Sequence, residues 1–308
     1  MARPTEPLLV IDIGGTTVKY GVWAHQQLGQ TGRFDTPQQW PDLLNDLLRV
    51  QRRYPQDFAG VAISLPGSVD TVAGKISGTS AVEYLNGFPI KAALRAAMGV
   101  PVSIQNDANC AALAESWRGN ARDVADALFM IIGTGVGGAM LVDHQLVTGR
   151  QHFTGEFGYM VMNERGETLS ELASPVRMAR RYSRQADLLT AVSAQEVYDA
   201  AAAGDAVAQQ CITAMMGWLS VGAFNSYVSV NPQRLLIGGG ISARPGFVAQ
   251  LRAQIQQLMH QHGAPIEVDV QPCRFHNEAN LIGAVRQFDL EFGDTAPLAA
   301  TAEVPVSR

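Results

Sequence analysis

Short apolar runs that end in glycine-containing turns recur along the chain. Residues 8–15, 60–67 and 234–242 each show this pattern, and residues 127–142 place a glycine turn between two apolar runs. Runs of four to eight apolar residues bounded by turn residues are typical of buried strands. The pattern therefore predicts buried β-strands that feed tight turns in both halves of the chain.

Apolar residues at helical spacing occupy much of the intervening sequence. Residues 40–54, 247–262 and 280–292 have this spacing, and residues 187–230 are mostly helical by the same criterion. A strand at 100–107 leads directly into an alanine-rich helix. Because strand patterns and helix patterns both occur along the chain, we expect a mixed α/β protein. Its two halves open with the same strand and turn pattern. Its 308 residues suit two domains of about 100 to 200 residues each.

Composition excludes several classes of function. Apolar residues make up 47% and charged residues 17%, and the net charge of −5 is spread along the chain without a basic stripe. We therefore expect no nucleic-acid partner. No apolar run reaches the ~18 residues of a membrane span and no signal peptide is recognisable, so we expect no membrane and a cytoplasmic location. Three widely spaced cysteines predict neither disulfides nor a cysteine metal site.

The first glycine turn combines an acidic residue with hydrogen-bond donors and a lysine: Asp12, Gly14, Gly15, Thr16, Thr17 and Lys19. Backbone N–H groups in such a turn can approach phosphate oxygens, and a carboxylate at a strand end can hold Mg²⁺ through water. The turn lacks the G-x-x-x-x-G-K-[ST] pattern of a Walker A loop. The alternative is a plain hairpin with a solvated aspartate and lysine.

Two more glycine turns complete the candidate phosphate-binding set. The second contains Gly133, Thr134, Gly135 and Gly137, and the third contains Gly238, Gly239 and Gly240. The second lies between two strands, so it is not a dinucleotide fingerprint, and we interpret it as another phosphate-binding turn. The third could let an adenine or ribose pack against bare backbone. Structural turns need glycine too, so each turn taken alone is weak support.

Asp107 is the candidate general base. It ends the strand at 100–107 and precedes a helix, where its carboxylate could accept a proton from an attacking hydroxyl. The alternative is that Asp107 or Asn106 only caps the helix.

Several ordered motifs together resemble the ROK family of sugar kinases and repressors. They are residues 12–16 (DIGGT), 66–67 (PG), 106–115 (NDANCAALAE), 132–139 (IGTGVGGA), 155–160 (GEFGYM), 237–241 (IGGGI) and 277–284 (NEANLIGA), and the resemblance covers about residues 8–292. It implies an actin-like (hexokinase-like) ATPase fold, two α/β domains with a cleft between them, and the cofactors ATP and Mg²⁺. Asp107 would be the base, and Gly67, Asn106 and Glu156 would bind a sugar.

The resemblance also implies a domain division. A small domain over residues 1–118 would be completed by the C-terminal helix at about 280–293, and a large domain would span 119–279. Residues 294–308 are expected to form a flexible tail. Dimers are common in the family, and the helices at 194–227 and 247–262 are candidates for a homodimer interface. The alternative is that these helices pack within the chain.

The sequence departs from the family at its zinc site. Typical members have a histidine where Tyr159 stands and a cysteine-rich loop after it, whereas residues 160–174 contain no cysteine. We therefore expect no zinc, since a structural zinc needs about four N or S ligands. Tyr159 offers instead a surface for stacking on a sugar ring. A further sugar-binding glutamate of the family falls near Ser170 or Glu171, and Glu171 is the expected residue.

Within the family, the chain most resembles the bacterial β-glucoside kinase branch, which phosphorylates the 6-hydroxyl of the non-reducing glucose of cellobiose and related glucosides. Glucokinase, and other hexose or N-acetylhexosamine kinases, are the alternatives. A sugar-responsive ROK regulator is disfavoured, since those proteins place a helix-turn-helix before the motif that here begins at Asp12. A binding module without catalysis is disfavoured because Asp12, Asp107 and all three glycine turns are present.

Overall fold

Two five-stranded sheets form the framework of the protein, for which a computed structural model describes residues 7–293. The strands are β1 Leu8–Ile13, β2 Thr17–Ala24, β3 Gln27–Asp35, β4 Gly60–Leu65, β5 Ser68–Asp70, β6 Lys75–Ser77, β7 Val102–Asn106, β8 Ala127–Ile132, β9 Val136–Val142, β10 Gln145–Leu146, β11 Arg234–Gly238 and β12 Val270–Pro272. The strand orders are β3-β2-β1-β4-β7 and β10-β9-β8-β11-β12, with β5 and β6 as a separate hairpin.

The two sheets repeat one topology. In each, the first strand pairs antiparallel with the second and parallel with the fourth, and the fifth adds parallel to the fourth. β1 and β4 are buried at every position, as their apolar runs predicted. In each sheet the parallel strands have their carboxyl ends at the same edge, which is where ligands bind in such sheets. The glycine turns that follow β1 and β8 lie at these edges, so they can contribute to one site.

Helices cover the sheets and join them. They are α1 Trp40–Arg53, α2 Ile90–Met98, α3 Asp107–Arg118, α4 Leu169–Ala173, α5 Pro175–Gln185, α6 Ala194–Ala202, α7 Ala206–Val230, α8 Phe247–Gln261 and α9 Ala279–Phe292. Short 3₁₀ turns occur at Glu83–Leu85, Phe157–Tyr159, Gly240–Ala243 and His276–Glu278. No helix in residues 7–293 combines the length and apolar character needed to cross a bilayer.

The C-terminal helix α9 returns to the first sheet. It contacts α3, β1, β4 and β7, and Ala284, Val285 and Phe288 are buried against Leu8 and Val10. A side chain at Gly283 would overlap the carbonyl oxygen of Cys110, so α3 and α9 pack with their backbones close together. α3 also contacts β9 of the second sheet. The predicted domain division, with its boundary at residue 118 and the completion of the small domain by α9, stays a prediction.

The sequence patterns did not predict β3, α4 and α5. β3 is an edge strand whose residues are largely exposed or half-buried, so its composition lacks the apolar run of a central strand. α5 is rich in arginine, and α4 is short. The tail prediction for residues 294–308 concerns residues outside the described part of the chain. The missed elements matter because α4 and the segment before it border the site described below.

Candidate active site

A cleft cavity of about 860 Å³ lies where the two halves meet. The lining includes Gly14, Gly15, Gly67, Asn106, Asp107, Gly133, Thr134, Gly135, Gly137, Phe153, Glu156, Tyr159 and Ser170. The first two glycine turns, the candidate base and the predicted sugar-binding residues other than Glu171 therefore share one cavity. Its volume is in the range of pockets that hold ligands of drug size.

Asp107 is the first residue of α3 and follows β7 directly. The N-cap of the helix is Asn106, whose Oδ1 accepts a hydrogen bond from the Asn109 N–H at 2.9 Å. The Asp107 Oδ1 accepts from the Ala108 N–H at 2.8 Å and from Asn106 Nδ2 at 3.0 Å. In the described chain, its Oδ2 is left available to a ligand. The capping role therefore belongs to Asn106, and Asp107 remains the candidate base.

The surroundings of Asp107 favour the protonated carboxyl. Burial, followed by the negative charge of Asp12 and, more weakly, that of Glu156, raises the pKa of Asp107 to about 6. The hydrogen bonds from Ala108 and Asn106 act in the opposite direction, because they stabilise the carboxylate. A pKa near the working pH is what an effective general base needs.

The pKa of Asp107 predicts how activity depends on pH. A base must be deprotonated to accept a proton, so kcat/KM for the sugar should be low below about pH 6 and rise with pH through the pKa. The check is a pH profile of kcat/KM for the sugar at saturating MgATP, with thermal stability followed over the same range. Constant activity from pH 5 to pH 8, while the protein stays folded, would contradict this assignment.

Asp12 lies behind the first glycine turn and is 6% exposed. Its Oδ1 accepts hydrogen bonds from Ser64 Oγ at 2.8 Å and from Asn280 Nδ2 at 3.1 Å. Its Oδ2 lies 3.8 Å from Lys19 Nζ. Asn280, on α9, was not predicted as a site residue, although it lies in the motif at 277–284.

The donor set around Asp12 fits a hydrated Mg²⁺. Magnesium binds proteins through one or two carboxylates and keeps several waters. Hydrogen bonds from Ser64 and Asn280 fix Oδ1 of the Asp12 carboxylate. Its Oδ2 lies near the ammonium group of Lys19. Thr36 holds the adjoining turn, since its Oγ1 donates to the Gly14 carbonyl at 2.6 Å and its N–H donates to the Thr16 carbonyl at 3.0 Å. Asp12 is therefore suited to orient waters of a Mg²⁺ ion beside the turn.

The second glycine turn connects β8 and β9 and is open to the cleft. Gly133 and Thr134 are exposed. The Gly133 N–H donates to the Gly135 carbonyl at 2.9 Å, and the Val136 N–H donates to Ser170 Oγ at 2.9 Å. One hydrogen bond inside the turn and one to Ser170 of α4 therefore fix its conformation. The exposed side of the turn, at Gly133 and Thr134, is accessible to an anion.

The third glycine turn lies beside the second rather than in the cavity lining described for residues 7–293. Gly239 has φ = +86°, a conformation that favours glycine. A side chain there would overlap the carbonyl oxygen of Ile132, the residue before Gly133. The nucleotide-binding role of Gly238, Gly239 and Gly240 stays a prediction, and the observed contact gives Gly239 a structural role as well.

Three of the predicted sugar-binding residues line the cleft beside Asp107. Gly67 has φ = +83°, and its carbonyl accepts from Asn106 Nδ2 at 2.9 Å. Glu156 is half-buried, and burial raises the pKa of its carboxyl. Asn106 uses its side-chain amide within the protein, so it orients both Asp107 and the Gly67 turn.

The side chain of Glu171, the further glutamate expected to bind sugar, lies outside the cleft lining. Its Oε2 accepts from the N–H and Oγ1 of Thr168, at 2.9 and 3.0 Å, in a capping box at the start of α4. These bonds lower the pKa of its carboxyl, and the side chain lines a separate cavity beside α5. Ser170, the neighbouring alternative, lines the cleft. We therefore leave Glu171 out of the proposed sugar site.

The predicted absence of zinc concerns the segment around Tyr159. Tyr159 is exposed and lines the cleft, and in residues 7–293 no group of three or more His, Cys, Asp and Glu side chains is arranged to hold a metal. Elemental analysis of purified, untagged protein should give far less than one zinc per chain. Chelators should leave the melting temperature unchanged. One tightly bound zinc per chain would refute the prediction.

Comparison with known proteins identifies the family. The sequence model of the ROK family matches residues 8–289 of this chain. The chain belongs to the ROK family. The resemblance inferred from the motifs is thereby confirmed.

Relatives within the ROK family include kinases for different sugars. The chain is 35% identical over 291 residues to a β-glucoside kinase of Klebsiella pneumoniae, which covers 92% of this chain and 96% of that protein. It is 30% identical over 266 residues to an N-acetyl-D-glucosamine kinase of Shigella flexneri, covering 78% and 86%.

The solved structures of ROK proteins confirm the fold. A ROK family protein of Streptococcus pneumoniae, in complex with sucrose, superposes with a TM-score of 0.83 at 32% identity and covers 92% of this chain and 98% of that one. The protein thus has the actin-like (hexokinase-like) ATPase fold that the motifs predicted.

Proposed function

We propose that this ROK-family sugar kinase transfers the γ-phosphoryl group of ATP to the 6-hydroxyl of a glucose unit, and that β-glucosides such as cellobiose are its substrates. The observation that carries the proposal is the position of Asp107. Its carboxylate, with one oxygen available, lines the same cavity as the two glycine turns. The choice of β-glucosides rests on the Klebsiella pneumoniae relative and on the absence of the family's histidine at Tyr159.

The reaction follows from the residues around the cavity. The sugar 6-hydroxyl donates to Asp107 Oδ2, and its proton passes to that carboxylate as the oxygen attacks the γ-phosphorus. The bond from the γ-phosphorus to the bridging oxygen breaks, and ADP leaves. The phosphate oxygens accept hydrogen bonds from backbone N–H groups of the two turns that are not already used within those turns, as the Gly14 and Gly133 N–H groups are. Bound Mg²⁺ would neutralise charge on the phosphates, with Asp12 orienting its waters.

The sugar side of the cavity has its own polar groups. Glu156 can accept hydrogen bonds from two neighbouring hydroxyls, since a carboxylate has two acceptor oxygens. The Gly67 turn, fixed by Asn106, lines the same cavity with its backbone. Ser170 offers a hydroxyl near the second glycine turn. We retain the homodimer and the cytoplasmic location as predictions.

N-acetylglucosamine kinase is the second candidate, because a relative with that name is 30% identical to this chain. Glucokinase is the third. The three differ at carbons 1 and 2 of the hexose, whereas Asp107 acts at the 6-hydroxyl in each. The proton transfer to Asp107 is therefore the same for all three sugars and does not distinguish the three candidate functions.

The test is a comparison of kcat/KM for cellobiose, glucose and N-acetylglucosamine with MgATP, using enzyme free of β-glucosidase. We expect cellobiose to be the best of the three, with a product phosphorylated at position 6 of the non-reducing unit. Activity on glucose with none on cellobiose, gentiobiose or aryl β-glucosides would make the protein a glucokinase. Preference for N-acetylglucosamine would favour the second candidate.

A further inference from the structure

Two aromatic rings are exposed together inside the cleft. Phe153 is 48% and Tyr159 61% exposed, their ring centroids are 5.1 Å apart, and both line the cavity. The only other aromatic side chain this exposed in residues 7–293 is Phe292, which packs on Phe288 of the same helix. Phe153 was not among the residues predicted from the sequence.

Such exposure leaves apolar ring surface inside the cleft that a ligand can cover. Large aromatic side chains gain most when they are removed from water, and exposed aromatic patches commonly mark binding sites. Tyr159 and Phe153 shield one another only in part. A planar or ring-shaped ligand on their open faces would complete the burial.

The position of the pair along the chain points to the sugar end of the cavity. Glu156 lies three residues from each ring, and the backbone connects all three. The Glu156 N–H donates to the Phe153 carbonyl at 3.4 Å, and the Tyr159 N–H donates to the Glu156 carbonyl at 3.1 Å. A group that contacts the rings is therefore next to the sugar that Glu156 would bind.

The segment that carries Phe153 is also held in place. His152 Nε2 lies 3.6 Å from Asp70 Oδ2, which connects the segment to β5 of the other half of the protein. The Thr154 N–H donates to the Thr148 carbonyl at 3.3 Å. A prearranged aromatic surface loses less conformational entropy on binding than a mobile one.

We propose that Phe153 and Tyr159 form an aromatic subsite for the group attached to the anomeric oxygen of the glucose unit, and that this subsite favours an aryl aglycone over an alkyl one. The inference rests on the proposed function, since it concerns the part of a β-glucoside that does not react. Stacking between rings depends on facing aromatic surfaces, so a methyl aglycone gains little of it.

The test compares phenyl β-D-glucoside with methyl β-D-glucoside. For the unaltered enzyme, we expect kcat/KM to be about fivefold or more higher for the phenyl compound, the size of one good ring contact. Phe153→Leu and Tyr159→Leu should each lower this ratio towards one, because leucine keeps apolar bulk but has no ring. Tyr159→Phe should keep the ratio. Since a ratio cancels any general loss of active enzyme, partial misfolding does not obscure the result.

Phe292→Leu is the matched control, because it removes an equally exposed ring outside the cleft. It should leave the ratio unchanged. The proposal is overturned if the enzyme phosphorylates both glucosides and neither leucine variant changes the ratio, or if those variants raise KM for MgATP instead, which would assign the rings to the nucleotide. An enzyme that phosphorylates glucose and no β-glucoside overturns the proposed substrate class together with this subsite.

Discussion

Replacing Asp107 by asparagine should lower kcat by about 10² or more while the fold and sugar binding persist. Asparagine has nearly the same shape, and its Oδ1 can still accept from the Ala108 N–H. It has no basic carboxylate to accept the proton of the sugar hydroxyl. The measurement is kcat for the preferred sugar at saturating MgATP, together with sugar affinity by calorimetry.

Asp205→Asn provides a matched control for the Asp107 variant. Asp205 is the N-cap of α7, where its Oδ1 accepts from the Val207 and Ala208 N–H groups at 2.8 and 3.0 Å. It therefore tests the same change at a helix start outside the cleft, and we expect a small effect on kcat. If Asp107→Asn retained turnover close to that of the unaltered enzyme, Asp107 would not be the base.

Replacing Asp12 by asparagine should reduce kcat/KM for MgATP by about 10² or more, since the carboxylate suited to orient the Mg²⁺ waters is lost. A second effect follows from the charge. The negative charge of Asp12 contributes to the raised pKa of Asp107, so its removal should lower that pKa. The acidic limb of the pH profile, which we expect near pH 6 for the unaltered enzyme, should then move to lower pH.

Ser64→Ala separates the charge of Asp12 from its hydrogen bonding. Ser64 Oγ donates to Asp12 Oδ1, so the alanine variant removes that bond and keeps the carboxylate. Because the charge of Asp12 stays, this variant should leave the acidic limb in place, in contrast to Asp12→Asn. A purely structural role for Asp12 would predict loss of activity and of thermal stability in Asp12→Asn with no movement of the limb.

Local sequence patterns determined most of the framework. Apolar runs of strand length and the helical spacing of leucines depend on neighbouring residues, so β1, β4, β8, α1 and α8 lie close to where they were predicted. The strand and turn pattern that opens both halves of the sequence corresponds to the first strands of two sheets with one topology. β3 was missed because an edge strand needs no continuous apolar run. The motifs, several in fixed order, were enough to indicate the family.

Only the tertiary structure decided which side chains meet. Asn280 donates to Asp12 across 268 positions of sequence, because α9 returns to the first sheet. Glu171 takes part in a capping box and lines a separate cavity, whereas Ser170, one residue earlier, lines the cleft.

The same holds at the candidate base and at the aromatic pair. Asn106 and Asp107 are both good caps by residue type, and only the hydrogen bonds show that Asn106 caps α3 while one oxygen of Asp107 is left available. Phe153 was indistinguishable from a core residue until its exposure beside Tyr159 was seen. Sequence patterns determine local conformation through short-range sterics and burial, whereas a site depends on the distances between segments, which the packing of the whole chain sets.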